Sequence, residues 1–155
     1  MPVAEANKSA VQISLPNLAA TETLAETVGS RLTAGDCLLL EGDLGAGKTA
    51  FARALIQSLL TVPEDVPSPT FTLVQTYQTP QFDIWHCDLY RLSSADELVE
   101  LGLEEAFSTA VSLIEWPDRL GSLAPAHAQL FRLSIEGHSA RLLTIVGDER
   151  WDDLA

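Results

Sequence analysis

The sequence predicts an α/β domain, a three-layer fold with a central, mainly parallel sheet and antiparallel hairpin additions. Three observations point there. A short apolar run, Asp36–Glu41 (DCLLLE), leads through a glycine-rich turn into a helix-forming stretch, Lys48–Leu60. A second short apolar run, Ala110–Ile114 (AVSLI), suits a parallel strand covered on both faces. Two further pairs of strand-like segments, each joined by a short turn, read as hairpins.

Taken in order, residues 1–10 read as a flexible tail and Val11–Leu15 as an edge strand ended by Pro16. Asn17 or Thr21 caps a helix running to about Leu32, with Leu24, Ala25, Val28 and Leu32 on one face. Thr33–Gly35 turns into the strand before the glycine loop. Past the loop, Phe51, Leu55 and Leu59 recur at helical spacing, and Ala52 and Ile56 widen that stripe. The stretch Thr61–Pro69 holds three prolines in nine residues and is a loop. Thr70–Thr76 and Asp83–Asp88 are the strands of a hairpin turning at Thr79–Gln81. A hairpin brings the start of one strand beside the end of the other, so Ser68 and Thr70 are expected near His86, Asp88 and Arg91. Ser94–Phe107 is helical with a break at Gly102, and Pro117–Leu123 is loop or short helix. Leu130–Glu136 and Ala140–Val146 form a closing hairpin around Gly137, and residues 148–155 are an acidic tail. The expected organisation is one domain over residues 11–147.

Composition narrows the function. An apolar fraction of 46% argues for a globular domain rather than a disordered one. No apolar run reaches membrane-spanning length, and the N-terminus has no basic stretch followed by an apolar one, so a cytoplasmic protein is expected. Cys37 and Cys87 lack metal-ligand spacing and suit a reducing compartment. A net charge of −13 with only nine basic residues excludes a protein that grips DNA or RNA alone, because phosphates need neutralising. An acidic face docking on a basic protein surface fits instead.

The segment Glu41–Thr49 (EGDLGAGKT) fits the phosphate-loop pattern G-x-x-x-x-G-K-[ST] through Gly42, Gly47, Lys48 and Thr49. Glycines let the backbone turn with positive φ and approach an anion. Lys48 brings a mobile charge, Thr49 brings a hydroxyl for Mg2+, and the following helix turns its positive end toward the same anion. The nucleotide-contacting residues are therefore Gly42, Asp43, Leu44, Gly45, Ala46, Gly47, Lys48, Thr49 and Ala50, with Asp43 serving loop geometry more than chemistry. The fold expected is of the P-loop NTPase type.

Chemistry on a bound nucleotide needs a further acid and a group that orients the attacking atom. Ligands of open α/β sheets lie at the carboxyl ends of strands. Asp88 and Glu115 both stand there. Glu115, closing an apolar run, is the first choice for Mg2+; the alternative is a solvated strand-end glutamate. Asp88 either holds a metal-bound water, aligns the attacking water, or caps the next segment. Thr70 is equally a γ-phosphate contact or a strand-start threonine. His86, on the same strand face as Asp88, reads as a structural hydrogen-bonding residue more readily than a base. Trp116 reads as core packing ahead of a stacking platform. Arg91 and Arg119 are either charge-stabilising or surface residues.

Four motifs together, GDLGAGKT, SPTF (Ser68–Phe71), HCDLYR (His86–Arg91) and IEWP (Ile114–Pro117), resemble the TsaE (YjeE) family over roughly residues 12–146. That family comprises small bacterial ATPases needed for threonylcarbamoyladenosine in tRNA. The resemblance implies that Lys48 binds phosphates and that Thr49 and Glu115 hold Mg2+. It also implies that Ser68 and Thr70 belong to a switch-like loop and that Asp88 is important for ATP use. Trp116 matches the tryptophan that accompanies the metal-binding glutamate. It further implies that ATP hydrolysis resets a complex with TsaD and TsaB, and that tRNA is met only through that complex. The alternatives are a small-molecule kinase, disfavoured because no arginine-rich lid occurs, and a nucleotide-sensing binding module without turnover. A GTPase is disfavoured by the lack of an N-K-x-D sequence.

Overall fold

Side-chain alternation along the strands decides the layers. In β2 (Cys37–Glu41), Leu38 and Leu40 join one core cluster, while Cys37 and Leu39 pack in the other. The first cluster holds residues of α1 (Leu18–Ser30) and α2 (Lys48–Leu59). The second holds residues of α3 (Asp96–Leu101) and α4 (Leu103–Thr109). The sheet lies between them. The computed structural model describes residues 9–69, 72–94 and 96–155. Residues 1–8 of the expected N-terminal tail, and Thr70, lie outside the described residues.

The remaining strands are β1 (Ser9–Leu15), β3 (Val74–Gln78), β4 (Asp83–Asp88), β5 (Val111–Glu115), β6 (Gln129–Ile135) and β7 (Arg141–Gly147). They form one seven-stranded sheet in the order β1-β7-β6-β2-β5-β4-β3. The inner strands β6, β2, β5 and β4 run parallel, and the pairings at both edges are antiparallel. β5 is buried at every position, which explains its unbroken apolar run.

Local chemistry fixes several boundaries. The Asn17 side chain accepts a hydrogen bond from the Ala20 N–H at 2.9 Å and caps α1, so the cap is Asn17 rather than Thr21. Gly102 has φ of 80°, a left-handed conformation that separates α3 from α4 at the expected break. The first strand of the β3–β4 hairpin begins at Val74, four residues later than expected. The N–H groups of Thr72 and Leu73 both bond the Pro69 carbonyl, and Leu73 has φ of 67°, so the chain turns there and cannot extend. The proline-rich segment is pinned by buried Val66, whose carbonyl accepts from Arg53 Nε at 2.9 Å.

The acidic C-terminal segment folds back onto the sheet as a 3-10 turn, Glu149–Leu154. Trp151 is buried, meets Phe131 edge-on at 5.4 Å, and donates from Nε1 to Gln129 Oε1 at 2.9 Å. Arg150 reaches Asp36 at 2.6 Å and Asp148 at 2.8 Å, and Arg31 pairs with Asp153 at 2.7 Å. Cys37 and Cys87 are free and buried, and burial pushes the Cys37 thiol up to about 12, so it packs as a neutral, apolar group. Among the described residues no helix is long and apolar enough to cross a membrane.

Candidate functional site

The register of the parallel strands assembles the site. Glu115 lies opposite Leu40 of β2 on one side and Asp88 of β4 on the other. The loop leaving β2 and the two acids therefore share the carboxyl edge of three adjacent strands.

Two glycines of the loop are required for different reasons. A Cβ on Gly42 would come within 2.6 Å of the Leu133 carbonyl oxygen in β6, a backbone atom that cannot step aside. At Gly47 nothing lies within 4 Å of such a Cβ, but φ is 104° at the entry to α2. Past that turn, the Phe51 N–H bonds the Gly47 carbonyl at 2.9 Å and α2 begins, its first N–H groups lacking intrahelical partners. From β7, Arg141 Nη2 donates to the Gly45 carbonyl at 3.1 Å and steadies the loop tip.

A cleft of about 280 Å³ opens beside the loop. Asp43, Leu44, Gly45, Gly47, Lys48, Thr49 and Ala50 line one side, and Ser68, Asp88, Glu115 and Trp116 line the other. Of the expected nucleotide-contacting residues, Gly42 and Ala46 instead line a larger hollow that shares Asp43 and Trp116 with the cleft. Ser68 lines the cleft with Asp88, as expected, although the hairpin itself starts only at Val74. Arg91 and Arg119 are exposed and are not among the described residues lining it.

Lys48, Asp88 and Glu115 are all buried. The Lys48 ammonium donates to the Gly42 carbonyl and lies 3.7 Å from the centre of the Trp116 ring. Burial pulls the Lys48 pKa below its ordinary value, against the opposing pull of Glu115, Asp88, Asp43 and Asp118. Trp116 takes the left-handed backbone conformation, φ 58°, and its ring meets Tyr90 at 4.9 Å. That conformation costs a residue with a Cβ about 1–3 kcal/mol, which the surrounding contacts must offset. It turns the indole under the lysine.

Thr49 Oγ1 donates to Glu115 Oε1 at 2.8 Å. The other carboxylate oxygen, Oε2, lies 2.7 Å from Nε2 of fully buried His86. The Asp88 carboxylate accepts from the Tyr90 N–H at 3.0 Å, which orients one of its oxygens. Among the described residues no group of three or more His, Cys, Asp and Glu side chains forms a metal cage. The hydroxyl and carboxylate oxygens of Thr49 and Glu115 are hard donors that suit Mg2+, which takes its other oxygens from phosphates and water.

Sequence reasoning missed the Arg141 contact with the loop and the partner of His86. Both span long separations, and no local pattern encodes them. A buried strand, a glycine loop and a helix, with a strand-end acid bonded to the loop's hydroxyl, define the P-loop class of α/β proteins. The family model for threonylcarbamoyl adenosine biosynthesis protein TsaE matches residues 15–143. The chain is 42% identical over 128 residues to tRNA threonylcarbamoyladenosine biosynthesis protein TsaE of Rickettsia bellii, covering 83% of this chain and 89% of that one. Its identity to the Synechocystis protein of the same name is 36%, over 76% of each chain. The crystal structure of Bacillus subtilis YdiB superposes with a TM-score of 0.78 at 28% identity, covering 95% of this chain and 92% of that one. The chain belongs to the TsaE family.

Proposed function

We propose that this protein is an ATP-binding and ATP-hydrolysing subunit acting in threonylcarbamoyl modification of the adenosine next to the anticodon in tRNA. In this reading it works in the cytoplasm and resets a complex with TsaD and TsaB, meeting tRNA through that complex. The family membership supports the pathway. The observation that carries the ATPase reading is the 2.8 Å contact between Thr49 and Glu115 in the cleft that Lys48 also lines.

The triphosphate lies along the loop, where backbone N–H groups and the start of α2 meet its charge. Lys48 exchanges its carbonyl and indole contacts for phosphate oxygens. Thr49 and Glu115 hold Mg2+, which when bound neutralises charge developing on the phosphates. Asp88, with one oxygen fixed by the Tyr90 N–H, orients the attacking water. The base rests in a hollow of about 330 Å³ that adjoins the loop and is lined by Leu18, Thr21, His138 and Arg141 among others. Thr70, two residues beyond Ser68 in the chain, is assigned to the γ-phosphate.

A reconstitution tests this. The protein is combined with TsaD, TsaB, threonylcarbamoyl-adenylate synthase, tRNA, threonine, bicarbonate and Mg-ATP, and modified adenosines are counted per complex. Many turnovers with the wild type, and one or fewer with Lys48→Ala, are expected. Equal turnover with and without this chain would refute the resetting role.

A further inference from the structure

We propose that His86 is the positioning residue of the Glu115 carboxylate, fixing the oxygen that Thr49 does not hold. The inference rests on the reading of Glu115 as a Mg2+ ligand. The two oxygens of Glu115 have separate anchors. Oε1 accepts from the Thr49 hydroxyl at 2.8 Å, and Oε2 faces His86 Nε2 at 2.7 Å. The anchors differ in permanence. Thr49 sits at the loop mouth, and when its oxygen turns to a cation its hydrogen bond to Oε1 is given up. His86 sits in the middle of β4 opposite Leu113, and its side chain is fully buried. It is the anchor that survives loading, and it leaves Oε1 pointing at the cleft.

The second observation is the other ring nitrogen. Nδ1 is buried and has no hydrogen-bond partner among the described residues. A carboxylate oxygen can only accept, so Nε2 is the donor in this contact. Burying a polar ring is unfavourable unless it is hydrogen-bonded, and an apolar side chain would fill the same space without that cost. Packing therefore does not explain the imidazole, and the Nε2 contact does. Outer hydrogen bonds of this kind orient metal ligands and keep them in the binding geometry.

The test compares ATP affinity with Mg2+ and in EDTA for the wild type, His86→Leu, His86→Gln and Glu115→Gln. His86→Leu should lower the ratio of the two affinities by about 10- to 100-fold, with affinity in EDTA unchanged. His86→Gln, whose amide nitrogen reaches the position of Nε2, should restore most of the ratio. A wild-type ratio in His86→Leu, alongside a collapsed ratio in Glu115→Gln, would overturn the positioning role alone. A wild-type ratio in Glu115→Gln would overturn the metal reading and this inference with it. Nitrogen NMR of the wild-type imidazole supplies a readout free of any variant's folding. A proton on Nε2 is expected, and a proton on Nδ1 alone would overturn the proposal.

Discussion

Lys48 shows how much one residue's surroundings decide. It is buried, its ammonium is shared between the Gly42 carbonyl and the face of Trp116, and acids close in around it. A phosphate offers the same cation stronger, charge-assisted partners, each worth about 1.5–3 kcal/mol. Lys48→Ala should accordingly weaken ATP binding by about 10- to 100-fold, read by calorimetry. Unchanged affinity would remove Lys48 from the phosphate site. His86 and Asp88 face the same side of β4, yet one is held in the core beneath Glu115 and the other lines the cleft. Alternation puts both residues on one face, and depth along the strand gives each its role.

At the scale of elements, the phosphate loop is shaped by its neighbours as much as by its own sequence. β6 passes so close to Gly42 that a methyl group there would meet the Leu133 carbonyl at 2.6 Å, and Arg141 of β7 holds the Gly45 carbonyl. Gly42→Ala should therefore displace the loop from β6 and lower both ATP affinity and the thermal midpoint. A variant with wild-type values for both would show that β6 can yield. The hairpin β3–β4 was legible as a hairpin because alternating runs flank a Thr-Pro turn. Its late start at Val74 was not, because it depends on the Leu73 backbone turning left-handed under bonds to Pro69. The strand, glycine turn and helix of the phosphate-loop motif were legible, since they are contiguous in the chain.

Across the whole molecule, the acidic C-terminal turn ties the end of the chain to α1, the entry to β2, and β6. The Arg150 guanidinium bonded to Asp148 holds that carboxyl below its ordinary 3.8. A carboxyl whose folded pKa is depressed contributes stability above the unfolded value and loses it as pH falls through the folded one. The pair is partly exposed, so the contribution is about 1 kcal/mol or less. Asp148→Asn should lower the thermal midpoint at neutral pH, and its gap from the wild type should close as pH drops below 3.8. A gap that persisted at low pH would assign the stabilisation to packing instead.

The sequence by itself determined the class of fold, the phosphate loop and the pair of strand-end acids, because periodicity, glycine placement and motif spacing are local properties of the chain. Only the tertiary structure decided that Glu115 would lie between Thr49 and His86, that Trp116 would sit beneath Lys48, and that the acidic end would be stapled to the sheet by Trp151 and Arg150. These contacts join residues far apart in the chain. They exist only because parallel register and crossing helices bring those residues within hydrogen-bonding distance, and nothing local to either partner specifies the other.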